Sequence, residues 1–134
     1  MGSCCGADLT DPELENANNI DEIIEILKNR ENEFLQKKNS LNQYLLNDNT
    51  KLPENISPYA TKNEIEEMYT KSSKIYDEYN RAIEILEVFK YKLKKNVVIE
   101  ETKKLSKFAR EDDYLSMKYL NNDLTNYCNK FYAI

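Results

Sequence analysis

Residues 63–93 read NEIEEMYTKSSKIYDEYNRAIEILEVFKYKL, and their apolar side chains recur at alternating spacings of three and four. This register continues over four heptads, which is typical of a helix that buries one narrow seam. Thr61 and Glu64 stand just before it at the spacing of a capping box. The pattern predicts a long helix that begins near residue 62 and lends its seam to a helical core. The seam consists of Ile65, Met68, Ser72, Ile75, Tyr79, Ala82, Leu86, Phe89 and Leu93.

A second apolar stripe precedes this helix and predicts another long helix over residues 20–47. The connection over 47–60 contains Asp48-Asn49-Thr50, Pro53 and Ser57-Pro58, which are turn and breaker signals. Glu31 and Lys38 break the heptad-like spacing of the stripe. The stripe consists of Ile20, Ile24, Leu27, Phe34, Leu41 and Leu45.

A short helical turn is predicted ahead of residue 20. Thr10 is expected to cap it, with Pro12 in the first turn and Glu13 reaching back to the cap. Leu9 and Leu14 have the spacing of a hydrophobic staple. The Asn-rich residues 16–19 interrupt the turn, and Asn19 with Glu22 restarts the helix; the two capping residues are again three apart.

The helical register slips after Lys94-Lys95-Asn96, and new stripes run through residues 97–109 and 115–131. Glu111-Asp112-Asp113 can cap a further segment. No Gly or Pro occurs between Tyr59 and Ile134, so this part fits one kinked helix or two helices.

Narrow stripes on such polar helices must be buried against one another. The sequence therefore predicts an all-α fold: an antiparallel bundle of three long helices, or four if the last is split, with coiled-coil-like packing. The length of 134 residues fits one domain over 11–134, preceded by a flexible arm over 1–10. An elongated, self-associating coiled coil is the competing architecture.

The composition argues against an enzyme. The chain has no histidine, and its two glycines are Gly2 and Gly6, so imidazole catalysis and glycine-rich phosphate loops are excluded from the body. We expect no cofactor, no metal site and no small-molecule substrate. Cys128 is the one nucleophile candidate of the body, and its place beside Leu124 and Phe131 predicts a buried thiol. No apolar run is long enough to span a bilayer, and no secretory signal is present.

The amino-terminal tip reads Met1-Gly2-Ser3-Cys4-Cys5-Gly6. It resembles the tip of dually acylated, membrane-anchored proteins of the Met-Gly-x-Cys-Cys type, although the usual Ser or Thr is replaced by Gly6. The resemblance implies a myristoyl group on Gly2 and palmitoyl groups on Cys4 and Cys5. It also implies a peripheral protein at the cytoplasmic face of a membrane.

The alternative is a cloning remnant followed by two ordinary thiols. Asp8, Asp11, Glu13 and Glu15 make the next stretch acidic, so a basic run directly behind Gly2 cannot supply the second membrane signal. The same acidity separates the chain from viral matrix proteins, which it resembles only as an acylated helical bundle with a basic face.

Positive charge is concentrated in residues 90–110, which carry eight basic and two acidic side chains in a chain of net charge −5. Because this segment straddles the register slip, we expect it at one end of the bundle, in contact with anionic lipid headgroups. The alternative is a solvated end whose lysine stems cover apolar surface. Nucleic acid is disfavoured by the acidic chain and its few arginines. The basic residues are Lys90, Lys92, Lys94, Lys95, Lys103, Lys104, Lys107 and Arg110.

Together these features favour a lipid-anchored helical adaptor or scaffold that acts by protein–protein interaction. Its partner would be an unidentified protein or a second copy. The alternative is a structural coiled-coil component of a cytoskeletal assembly. The abundance of Asn, Lys, Ile and Tyr is typical of AT-rich genomes such as those of many protists.

Overall fold

The computed structural model describes residues 10–47, 52–53 and 56–132. Within these ranges the regular structure is helical and contains no strand. The predicted all-α bundle is confirmed, and its last part is divided into two helices. The helices are α1 Pro12–Glu15, α2 Ile20–Leu46, α3 Lys62–Phe89, α4 Lys95–Arg110 and α5 Tyr114–Asn129, followed by a 3₁₀ turn Lys130–Tyr132.

The two long helices α2 and α3 begin where the sequence predicts. The Asn19 side chain accepts a hydrogen bond from the Glu22 amide at 2.9 Å and so caps α2. Thr61 and Glu64 form both hydrogen bonds of a capping box at the start of α3. Each cap satisfies backbone amides that have no partner inside the helix.

The prediction that Thr10 caps α1 is wrong, because Asp11 is the capping residue. Its carboxylate accepts from the Leu14 amide at 3.3 Å, and its own amide donates to the Glu15 carboxylate at 2.9 Å. An Asp directly before Pro12 is a strong acceptor at the position that the first turn requires. Glu13 does not reach back to the cap and bonds Arg30 instead. Leu9, the other half of the expected staple, lies outside the described residues.

The predicted α3 seam forms the core, since most of its side chains from Ile65 to Leu86 are buried. Phe89, the last residue of α3, and Met68 are half-buried, and Leu93 is buried beyond the helix end. Ile83 and Ile85 are buried although they lie outside the seam. This wider burial arises because α2 and α5 both pack against this half of α3.

Helix α5 runs alongside the carboxyl-terminal half of α3. Near its start Lys74 Nζ lies 5.0 Å from the centre of the Tyr114 ring, and near its end the rings of Phe89 and Phe131 are 6.5 Å apart. Around residues 74–89 of α3, the described structure is therefore a bundle of four helices, α2 to α5.

The amino-terminal part of α3, before Lys74, pairs with the carboxyl-terminal part of α2 alone among the described helices. A smaller core of Leu41, Ile56 and Ile65 closes that end, with Leu52 and Ala60 from the connection packed against it.

A Schellman motif separates α4 from α5. The amide of Asp112 donates to the Ala109 carbonyl at 3.1 Å, and that of Asp113 donates to the Phe108 carbonyl at 2.9 Å. Asp112 has φ of 56°, the left-handed conformation that ends a helix without glycine. Asp113 then caps α5 by accepting from the Ser116 amide, as the acidic triplet predicted.

Candidate functional site

The predicted lipid acceptors Gly2, Cys4 and Cys5 lie outside the described residues. The third cysteine, Cys128, is fully buried in the main core, and burial raises the pKa of its thiol. The prediction of a buried thiol is therefore confirmed. A thiol in this state is a packing group rather than an exposed nucleophile.

The segment that follows the tip is packed onto the bundle. We call residues 11–17 the docking segment. Leu14 is completely inaccessible to solvent and Ala17 is buried in the same core. Glu15 forms an ion pair with Lys103 of α4 at 3.2 Å. The chain is thus attached to the bundle from Asp11 onward, nine residues after Gly2.

Arg30 of α2 holds the docking segment in place. Its guanidinium donates to both carboxylate oxygens of Asp11, at 2.7 and 2.9 Å, and also to Glu13 at 2.9 Å. The fork of the guanidinium matches the carboxylate in a bidentate pair. A further hydrogen bond of 2.9 Å runs from Arg30 to Ser106 Oγ of α4, and the Tyr79 hydroxyl donates to the same oxygen at 3.2 Å.

The electrostatics of this pair favour the ionised forms. Burial on its own would raise the pKa of the Asp11 carboxyl, but the hydrogen bonds and charge of Arg30 outweigh it and lower the pKa. The hydrogen bond to Asp11 correspondingly raises the pKa of Arg30. Burial raises the pKa of the Tyr79 hydroxyl. The charged groups therefore satisfy one another, and the cluster is a structural clasp.

Sequence reasoning missed this clasp. Its members come from α1, α2, α3 and α4, and Arg30 and Ser106 are 76 residues apart. One signal was present: Arg30 is one of only three arginines and lies beside the apolar stripe of α2. An arginine next to a core stripe needs an acidic partner, but its spacing does not identify that partner.

The eight predicted basic residues fall into two groups. The first group, which we call the basic tip, consists of Lys90, Lys92, Lys94 and Lys95 in and after the turn between α3 and α4. Lys90 Nζ contacts the Asp21 carboxylate at 2.9 Å, so the basic tip lies at the bundle end where α2 begins. That hydrogen bond raises the pKa of Lys90. Tyr91 projects from the same turn with 90% of its surface exposed.

The second group lies along α4, away from that end. Arg110 is fifteen residues from Lys95, which is about 22 Å along a helix. Each member faces an acid. Lys103 pairs with Glu15 and Glu100. Lys104 pairs with Glu101, Lys107 with Glu111, and Arg110 with Asp11. The expected common end is thus found for the basic tip only. The second group comprises Lys103, Lys104, Lys107 and Arg110.

Helix α5 exposes apolar side chains on its outer surface. Leu115 and Tyr119 are one turn apart and at least half exposed, and Tyr127 is partly exposed nearer the helix end. Tyr127 also lines a shallow groove between α4 and α5, with Val97 and Leu124 on its walls. Tyrosine side chains are enriched in protein–protein interfaces.

Two further kinds of functional feature are absent from the described residues. No helix among them has the length and apolarity needed to cross a bilayer, and nowhere among them do three metal-binding side chains gather. Comparison with protein-family models, curated proteins and solved structures gives no match. The distinctive features of the chain are therefore Gly2, Cys4 and Cys5 near its amino terminus, which are predicted lipid acceptors, and the uneven charge of its bundle.

Proposed function

We propose that the protein is a lipid-anchored helical adaptor at the cytoplasmic face of a membrane. The observation that carries this proposal is the glycine at position 2 with adjacent cysteines at 4 and 5. A single myristoyl chain binds a bilayer with an association constant of only about 10⁴ M⁻¹. Palmitoylation of Cys4 or Cys5 supplies the second chain that stable attachment requires.

The docking segment supports a close association between the bundle and the bilayer. Asp11 is fixed to Arg30, and the nine residues from Gly2 to Asp11 span at most about 32 Å when fully extended. A lipid on Gly2 therefore keeps the bundle within a few nanometres of the membrane surface. Such a short connection suits a protein that presents a binding surface at the membrane.

Adaptor activity requires a surface for a partner protein. The outer face of α5 supplies exposed apolar side chains away from the basic tip, through Leu115 and Tyr119. Tyrosine at such a position contributes large contact area at low entropic cost. We therefore assign partner binding to α5 rather than to the charged faces of α2 and α3.

The alternative function is a self-assembling coiled-coil component. The apolar seam of α3 favours that function only if the seam is exposed to a second copy. The seam from Ile65 to Leu86 is covered by helices of the same chain. A second copy would have to use another surface. Sedimentation velocity separates the two functions, because the adaptor is expected to remain a monomer whereas an assembly component forms larger species as its concentration rises.

The acylation is tested by cell fractionation of the full chain with a carboxyl-terminal tag, combined with labelling by myristate and palmitate analogues. Gly2→Ala should abolish myristate labelling and move the protein to the soluble fraction. Cys4→Ser/Cys5→Ser should abolish palmitate labelling and weaken membrane retention. Cys128→Ser is the matched control and should leave both labels in place. Unchanged labelling and partitioning of the first two variants would refute the proposal.

A further inference from the structure

The basic tip combines positive charge with exposed apolar surface at one end of the bundle. Its four lysines lie within six residues of one another. Tyr91 is 90% exposed between them, and Val88 in the last turn of α3 is 64% exposed. Lys90 Nζ lies 5.3 Å from the centre of the Tyr91 ring, so charge and aromatic surface share one site. Lysine and tyrosine together are typical of surfaces that meet a membrane interface.

Two of these lysines stand where they disfavour folding. Lys94 is the N-cap of α4 and makes no side-chain capping bond, whereas Asp11, Asn19, Thr61 and Asp113 cap the other four α-helices. Lys94 and Lys95 also place positive charge at the positive end of the helix dipole. Positions that break a local folding rule are expected at functional sites. Their charge therefore indicates a role other than stabilising α4.

The basic residues of the second group do not oppose folding in this way. Lys103 has two acidic partners, and its side chain is only 14% exposed. Lys107 pairs with Glu111 at 3.1 Å. Pairing alone does not separate the two groups, because Lys90 of the basic tip also pairs with Asp21. The second group differs by its position along the side of the bundle, up to about 22 Å from the start of α4. The predicted lipid contact is thereby reduced from eight residues to the basic tip.

We propose that the basic tip binds the surface of an anionic bilayer, with its lysines among the lipid headgroups and Tyr91 in the interface. The orientation rests on the proposed acylation, whereas the binding itself does not. Asp11 lies 3.9 Å from Arg110, about 22 Å along α4 from Lys95. The nine residues from Asp11 back to Gly2 reach at most about 32 Å when extended. The acyl chains on the amino terminus and the basic tip can therefore contact the same bilayer. The end of α2 and start of α3 then point away from the membrane.

The test uses the unacylated full chain, Gly2→Ala/Cys4→Ser/Cys5→Ser, in co-sedimentation with phosphatidylcholine vesicles that contain or lack phosphatidylserine. Binding should require phosphatidylserine and decrease with salt. Lys94→Asp should reduce the partition coefficient at least about fivefold, since one lysine near the surface contributes roughly 1 kcal/mol. The same variant should raise the melting temperature because Asp is a favourable N-cap. A better-folded protein that binds more weakly excludes misfolding as the cause.

Lys62→Asp is the matched control, because it makes the same charge change at the start of α3, at the opposite end of the bundle. It should leave vesicle binding nearly unchanged. Tyr91→Ser should weaken binding with a smaller salt dependence than Lys94→Asp. Equal losses for Lys94→Asp and Lys62→Asp, binding without phosphatidylserine, or displacement of the protein from vesicles by a homopolymeric RNA would each overturn the proposal. Because the variant used throughout lacks all three acyl acceptors, this result does not depend on whether the natural protein is acylated.

Discussion

The ion pair between Arg30 and Asp11 connects the amino-terminal region to the rest of the molecule. The Asp11 side chain is 6% exposed and that of Arg30 is 19% exposed. Removal of one member of such a pair leaves the other charge poorly compensated, which destabilises a protein more than the intact pair stabilises it. Since the pKa of Asp11 is lowered on folding, its contribution is present above the ordinary pKa of aspartate and is lost as the pH falls through the lowered value.

Asp11→Ala should lower the free energy of unfolding by about 2 to 3 kcal/mol, because the bidentate bonds and the α1 cap are lost together. Urea denaturation at neutral pH measures the change. Glu13→Ala is the control: Glu13 also pairs with Arg30 but is 60% exposed, so it should cost less than about 1 kcal/mol. Equal losses for the two variants would show that Asp11 has no special role.

Glu31, which breaks the α2 stripe, has the opposite effect. One of its carboxylate oxygens is buried without a hydrogen-bond partner among the described residues, and burial raises its pKa. A raised pKa means that the favourable contribution is full below the ordinary pKa of glutamate and is lost as the pH rises through the folded-state value. At neutral pH the charged group therefore opposes folding.

Glu31→Gln is expected to increase the free energy of unfolding at pH 7 by up to about 1 kcal/mol. The gain should be smaller near pH 4, where the raised pKa keeps folded Glu31 mostly protonated. Chemical denaturation at the two pH values gives the difference. Glu33→Gln, an exposed position on the same helix, controls for the change in net charge. A gain of the same size at both pH values would contradict the explanation.

At the scale of elements, helix boundaries depend on single residues that the sequence reveals unevenly. The caps at Asn19 and Thr61 were predictable because each depends on residues three apart. The acidic residues 111–113 indicated a possible break between α4 and α5. Its exact position at Asp112 was not predictable, since aspartate rarely adopts positive φ and no glycine marks the position. The Arg30 clasp was likewise hidden, because its partners meet only after the helices pack. Local patterns thus predicted the seam and most helix starts, whereas long-range pairing remained unpredicted.

Replacing Asp112 tests the helix break directly. Asp112→Gly should stabilise the protein by about 0.5 kcal/mol, since glycine adopts the left-handed conformation without steric cost. Glu111→Gly, at the adjacent residue with φ of −92°, should be destabilising because only flexibility is gained in the unfolded chain. Thermal unfolding of both variants gives the comparison. Stabilisation by Glu111→Gly, or destabilisation by Asp112→Gly, would contradict the assignment.

At the scale of the whole molecule, the bundle has two unlike ends. Four helices pack together at the end that carries the basic tip. The opposite end, which we call the far end, consists of α2, α3 and the small core around Leu41 and Ile65. Fewer buried contacts should make the far end open more easily. In the proposed orientation the better-packed end faces the bilayer, and the looser end extends into the cytoplasm.

Hydrogen exchange should reveal this difference within a single helix. Amides of residues 38–45 of α2 are expected to exchange faster than those of residues 23–30, which pack in the four-helix half. Exchange measured by mass spectrometry under native conditions provides the comparison, and the two halves of α2 serve as mutual controls. Uniform protection along α2 would show that the two ends are equally stable.

Acylation of the tip is the claim on which the membrane assignment depends. Mass spectrometry of the amino-terminal peptide, purified from the native cell, tests it most directly. The proposal predicts that the initiator methionine is removed, that Gly2 carries an amide-linked myristoyl group, and that Cys4 or Cys5 carries a thioester-linked palmitoyl group. A peptide with an unmodified Gly2 and two free thiols would contradict it.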